Sequence, residues 1–254
     1  MKHLVLVLFL LLGSISSGTA LAAELRVAVA ANFLGTLQQL VALYEAHSED
    51  RITLSAGSSG ALYAQIANGA PFDLFFSADD VRTAALIDAG LADADSRVVY
   101  ALGVPVLWTA ADFDLSDPPA LLASDRYRFL AIADPRNAPY GIAAQQILTQ
   151  FDLWDALNRA GRLVRAQTLT QVYAQVASGA ADLGFIALAQ IKDSSAERTG
   201  NYWIPPEELY DPITQEAVLL TRTAHPEAAR RFLDWIQSEP AIAVIEAAGY
   251  RIPR

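Results

Sequence analysis

The sequence predicts an α/β protein of two lobes around a central cleft, and three observations carry that expectation. Strand and helix periods alternate from residue 25 onward, which is the signature of α/β architecture. A β-rich run over residues 98–110 is interrupted by Pro105, as expected where a strand leaves one sheet and enters another. Beyond it the alternation starts afresh, giving two halves of roughly a hundred residues each, a usual domain size. Length alone leaves open a single larger doubly wound domain.

Taken in order, residues 25–31 read as a buried strand, and Phe33, Leu37, Leu40, Val41 and Tyr44 then recur at helical spacing. A second strand covers 51–56, followed by a short helix from Gly60 to Asn68 that Gly69 ends. Residues 72–78 form a third strand, and Asp79 and Asp80 give the next helix the acidic first turn its dipole favours. In the second half, strands are expected over 127–135, 162–168 and 182–190, with helices over 141–157 and 169–181. Residues 213–223 return as a strand toward the first half, and Pro226 opens the helical C-terminal segment. Two crossing strands near residues 100–106 and 210–218 thus join the lobes. The expected segments are a leader over 1–22, lobe one over 23–103 and 213–254, and lobe two over 104–212.

The leader has the tripartite pattern of a secretory signal peptide. Lys2 precedes the unbroken apolar stretch Leu4 to Leu12, and Ala20-Leu21-Ala22 supplies small residues for cleavage near Ala22. That stretch is shorter than the roughly 20 residues of a spanning helix, so no membrane insertion is expected after cleavage. Cysteine is absent, which leaves no disulfide and no thiol for a lipid. The expectation is a freely diffusing periplasmic monomer held by ordinary apolar burial. The formal net charge of −10 argues against nucleic acid or anionic membranes as partners. It does not exclude a small anion, which answers to donors in its immediate surroundings.

Four strand-to-helix corners carry the functional reading: Ala31-Asn32 and Ser58-Ser59-Gly60 in the first half, Pro139-Tyr140-Gly141 and Thr168-Leu169 in the second. The first N–H groups of a helix have no partner inside it and sit at the positive end of its dipole. Ligands of open α/β sheets lie beyond the carboxyl ends of the strands, where such corners gather. Each corner also has a plainer reading. Asn32 and Thr168 suit ordinary N-caps, Ser58-Ser59 suits a loop, and Tyr140 suits an exposed aromatic. With two corners in each half, one cleft could collect hydrogen-bond donors that carry no formal positive charge. Such a cleft suits an anion.

Other chemistries fit less well. Gly57-Ser58-Ser59-Gly60 is not a nucleophile elbow, because Ala61 stands where the last glycine of G-x-S-x-G belongs. Beyond the leader only His47 and His225 remain, both in charged helix-flanking stretches, and no His cluster has zinc-ligand spacing. Asp73, Asp79, Asp80 and Asp134 sit at strand ends and helix starts, where capping explains them. Neither an enzyme nor a cofactor is expected. A binder of amino acids or other carboxylates would recruit an arginine clamp. The nearest, Arg136, lies outside the Tyr140 turn. That class and a sulfate binder remain as alternatives with the same fold.

Several stretches together resemble the periplasmic molybdate-binding proteins that serve ABC transporters. They are VAVAANFLGTLQQL, SAGSSGALYAQIANGAPFDLFFSADD, IADPRNAPYGIAAQQIL, VYAQVASGAADLGFIALAQ and the closing GYRIP, in family order over nearly the whole mature chain. The resemblance implies the type II-like periplasmic binding protein fold, closing around one tetrahedral oxyanion, molybdate or tungstate. It also implies a transporter permease as partner. Carried over residue by residue, the contacts are Asn32, Ser59, Tyr140 and Leu169, the last through its backbone N–H. One departure stands out. Many members place a tyrosine in the lobe-two strand, where this chain has Ala187, and a small residue before the helix glycine, where this chain has Tyr140. The resemblance then implies a phenol entering from another wall of the pocket.

Overall fold

Two five-stranded sheets flanked by helices make up the computed structural model, which describes residues 22–192 and 200–253. All but the last residue of the expected leader lies outside the described residues. The chain begins with β1 (Glu24–Ala30), α1 (Leu34–Glu45), β2 (Arg51–Gly57), α2 (Ser59–Ala67), β3 (Leu74–Ser77), α3 (Val81–Asp88) and β4 (Val98–Gly103). After Val104 follow β5 (Pro105–Thr109), α4 (Pro118–Ala123), β6 (Leu130–Ala133), α5 (Pro139–Gln150), α6 (Trp154–Arg159) and β7 (Leu163–Ala166). Then come α7 (Leu169–Ala177), β8 (Leu183–Ala187), α8 (Leu188–Lys192) and β9 (Asn201–Trp203). The last elements are β10 (Ile213–Leu219), α9 (Pro226–Ile236) and α10 (Glu239–Ala247).

The two sheets share one plan. The first runs β2-β1-β3-β10-β4 and the second β7-β6-β8-β5-β9. In each, three parallel strands meet an antiparallel fourth that comes from the other side of a lobe crossing. The first crossing is the β4–β5 junction, where Pro105, lacking a donor, marks the change of sheet. The second departs from the expected crossing strand. Chain leaves β9, passes a 3-10 turn at Glu207–Leu209 and enters β10 only at Ile213. The C-terminal segment closes the first sheet, with Leu102 and Arg251 exchanging backbone hydrogen bonds of 2.7 and 3.1 Å.

Apolar periodicity explains both cores. β1 contributes Leu25, Val27 and Val29 to lobe one, where they pack with Phe33, Phe76 and Phe232. Phe33 lies 4.4 Å centroid to centroid from Tyr100. In lobe two, Ile132, Ile147, Val172 and Phe185 share a core with Trp108, which stacks on Tyr173 at 4.8 Å. Each such side chain contributes about 1.5–3 kcal/mol on burial.

Three local expectations need correction. The single helix over 141–157 is two helices, broken at Asp152, whose φ of 58° is left-handed. An aspartate tolerates that conformation better than most residues. The strand over 182–190 ends at Ala187 and turns directly into α8. Finally, Asn32 does not cap α1. Phe33 occupies the N-cap position, and no side chain bonds to that end.

Candidate functional site

The carboxyl ends of the inner parallel strands in both sheets point at one interlobe cavity. Its walls include Asn32, Ser58, Ser59, Tyr140, Thr168 and Leu169, with Ala30, Ala31, Gly57, Ala78, Ala138 and Pro139 between them. All four residues expected from sequence therefore line the same space. Among the described residues no lysine, arginine, histidine or carboxylate lines it. The cavity volume is about 10 Å³, on a scale where one water needs roughly 10–15 Å³.

The two lobes build their walls in parallel ways. β1 and β2 end side by side, and Ala31 N–H donates to Gly57 O at 2.9 Å. β6 and β7 end likewise, and Asp134 N–H donates to Ala166 O at 2.8 Å. Helix α2 is capped by Ser58, whose Oγ accepts from Ala61 N–H at 3.4 Å, and α7 by Thr168, whose Oγ1 accepts from Gln171 N–H at 3.3 Å. The cap thus serves an N–H two residues into each helix, leaving the first N–H, that of Ser59 or Leu169, without a helical partner. Among the described residues, the N–H groups of Asn32, Ser59, Tyr140 and Leu169 make no backbone hydrogen bond.

Side chains refine this frame. Ser59 Oγ accepts from Ala78 N–H at 2.9 Å, so its own proton remains available as a donor. Asn32 Nδ2 donates to Gln215 Oε1 at 2.7 Å and to Tyr250 Oη at 3.3 Å. Tyr250 Oη in turn donates to Asn32 O at 2.7 Å. This locks the residue while leaving its N–H free. α5 presses on β6 so closely that a Cβ at Gly141 would lie 2.3 Å from Ala133 O. Only glycine lets the Tyr140 turn sit there. The Tyr140 phenol is buried and reaches the hinge, where its oxygen accepts from Gln215 Nε2 at 3.5 Å. Burial, reinforced by Tyr250, Tyr100 and Tyr210, holds it well above the usual phenol range. Ala187 is buried in β8, opposite Pro105, and does not line the cavity.

The lobes also touch at the cavity mouth. Gly60 N–H of lobe one donates to Asn137 O of lobe two at 2.9 Å. Arg82, paired with Asp79 in lobe one, donates Nη2 to Arg136 O of lobe two at 3.2 Å. Arg136 itself is engaged by Asp134 at 2.6 Å and is highly exposed, so it offers no clamp to the cavity. Its hydrogen bonds to Asp134 hold that carboxyl below the usual carboxylate range. Of the suspected capping carboxylates, Asp79 accepts from Arg82 N–H near the start of α3 at 3.0 Å, and Asp80 makes no cap bond. His47 and His225 are exposed, away from the cavity. Among the described residues no group of three or more acidic or histidine side chains is placed to hold a metal cation. No described helix is long and apolar enough to cross a membrane.

Sequence reasoning missed Gln215. Its only local signal is a long amide between Thr214 and Glu216 in the closing strand.

Comparison with known proteins gives a consistent picture. Residues 25–251 match the family model described as bacterial extracellular solute-binding protein. The molybdate-binding protein of Azotobacter vinelandii is 39% identical over 231 residues, covering 91% of each chain. That of Rhodobacter capsulatus is 37% identical, covering 91% of this chain and 89% of the other. A solved periplasmic molybdate-binding protein of Azotobacter vinelandii superposes with a TM-score of 0.88 at 44% identity. That match covers 91% of this chain and 100% of the other.

Proposed function

The chain belongs to the bacterial extracellular solute-binding proteins, grouping with their molybdate-binding members, and from that premise we propose that it captures molybdate between its lobes. It takes tungstate equally, is a binding protein rather than an enzyme, and delivers the anion to the permease of an ABC importer. It works as a periplasmic monomer without a cofactor, after loss of its leader near Ala22. One observation carries the reading. Residues with spare peptide N–H groups, Asn32, Ser59, Tyr140 and Leu169, come from both lobes to line one cavity that has no charged side chain among the described residues.

Such a site matches a full dianion. Hydrogen bonds to a charged group contribute roughly 1.5–3 kcal/mol each. Helix ends add about 0.3–1 kcal/mol each. Four N–H groups and the Ser59 hydroxyl can therefore offset the desolvation of a compact tetrahedral ion. With no carboxylate at the cavity, hydrogen phosphate has nowhere good to donate its proton. Sulfate, a smaller dianion, leaves longer and weaker hydrogen bonds. Molybdate and tungstate are nearly the same size, so the site treats them alike. The Gly60–Asn137 and Arg82–Arg136 contacts form only when the lobes are shut, which supports closure as the form presented to the permease.

Titration with molybdate, tungstate, sulfate and phosphate at matched ionic strength tests the reading, with tryptophan fluorescence as reporter. A tight one-to-one response to the first two alone supports it. Equal affinity for sulfate or phosphate, or a response to amino acids, contradicts it.

A further inference from the structure

Behind the cavity, on the hinge side, lies a buried polar cluster that anion capture by peptide nitrogens does not explain. At its centre is Gln215, wholly buried in β10 just after the second lobe crossing. It sits at an irregularity where the register against β4 shifts between Gln215 and Glu216. Its Oε1 accepts from Asn32 Nδ2 at 2.7 Å and lies 3.1 Å from Tyr100 Oη, whose single proton is shared with Ser77 O at 3.0 Å. The Asn32 donor sets which end of the amide faces lobe one. Nε2 is thereby aimed out of lobe one at the Tyr140 hydroxyl, 3.5 Å away on a helix of lobe two.

The hinge strand is shaped to admit that hydroxyl. A Cβ at Gly103 would stand 2.5 Å from Tyr140 Oη and 3.0 Å from Gln215 Nε2. So glycine at the last position of β4 leaves the gap that the phenol fills. The amide consequently touches one site residue of each lobe, from a strand that begins where the chain re-enters lobe one. Leaving such a buried amide half satisfied is costly.

We propose that Gln215 is a positioning residue for the anion site, holding the Asn32 corner in lobe one and receiving the Tyr140 phenol of lobe two on closure. Site assembly and lobe closure are then a single event. An open molecule loses the Tyr140 contact and keeps the Asn32 contact. The proposal rests on the anion-binding reading above.

The test is a double-mutant cycle on the full mature chain, using molybdate as the probe. The parent, Gln215→Met, Tyr140→Phe and the double variant are titrated, and molybdate release is timed by stopped-flow fluorescence. Melting of each without ligand is recorded alongside. Each single substitution should speed release about three- to tenfold, and the double variant should be no faster than the faster single. A purely structural role would lower the melting temperature and leave the release rate alone. If Gln215→Met does not fold, Gly103→Ala and Gly103→Ala/Tyr140→Phe ask the same question. The added methyl should weaken binding, and removing the hydroxyl should recover part of the loss. Release rates within twofold of the parent, effects that multiply, or no recovery in the glycine pair overturn the proposal. A parent that binds no molybdate overturns the functional reading as well, which separates the two failures.

Discussion

Lobe one and lobe two bring the same pair of corners to the cavity, yet lobe one anchors its pair with side chains and lobe two with backbone and close packing. In lobe one, Asn32 is tied to Gln215 and Tyr250, and Ser59 to Ala78. In lobe two, the Tyr140 turn is held by the contact of Gly141 with β6, and Leu169 by its burial in the lobe-two core. The difference teaches that equal donors can rest on unequal supports. Lobe one's half is a polar network braced against the hinge, and its side chains should be sensitive to change. Apart from the Tyr140 hydroxyl that meets Gln215, lobe two's half should tolerate side-chain change wherever the N–H and the packing survive.

Substitutions at Ser59 probe the lobe-one side hardest. Ser59→Asp sets a carboxylate against the dianion, and like charges in a buried site cost several kcal/mol. Molybdate binding in calorimetry should fall by at least about a thousandfold. Ser59→Ala removes one donor to a charged group, and affinity should drop roughly 10- to 100-fold. Retained parent affinity in the aspartate variant would remove Ser59 from the site.

At the mouth, the comparison predicts a smaller effect. Arg82→Ala deletes the link to Arg136 O without touching a cavity wall. Release of molybdate should quicken about two- to tenfold, while the association rate stays near that of the parent. A changed anion preference would show that Arg82 does more than hold the lobes shut.

The smallest effect expected is that of pH on affinity. Among the described residues Tyr140 is the only ionisable group lining the cavity, and burial keeps its phenol protonated. Molybdate affinity should therefore be flat between about pH 6 and 9. A slope in that window would point to a histidine or amine at the anion. Stability should behave differently in strong alkali. Burial pushes the Tyr127 phenol of lobe two up to about 12, above its value in the unfolded chain. The folded state then holds a proton that the unfolded state releases. The stabilisation is complete below about pH 10 and fades as pH climbs toward 12. Denaturation midpoints measured across that range would show the decline, and Tyr127→Phe should reduce it.

Much of this architecture is legible in the sequence because strand and helix periods are clean there. β1, α1 and the Pro105 crossing all follow from apolar spacing and one proline. The α5–α6 break does not, since Phe151-Asp152-Leu153 contains neither glycine nor proline and the turn depends on Asp152 alone. β9 has three residues beside a proline- and acid-rich stretch, too short to show a period. The corners are visible because Ser58 and Thr168 are good caps, and the cap marks where the spare N–H groups must be. The job of the Asn32 side chain is invisible locally. Its partners Gln215 and Tyr250 lie 183 and 218 residues away in the chain, and only the closed fold brings them together.

The central claim is that uncharged peptide nitrogens from both lobes hold the anion, and Leu169 allows it to be tested one atom at a time. Leu169 is the first residue of α7, a position where proline is tolerated, and Thr168 before it is extended at φ −138°, ψ 159°, as a residue preceding proline requires. Leu169→Pro therefore deletes one N–H and keeps the helix, while Leu169→Ala trims the same side chain and keeps the N–H. Molybdate affinity of the two variants, measured side by side, should differ by roughly 10- to 100-fold, with proline the weaker. Equal affinities would contradict the account.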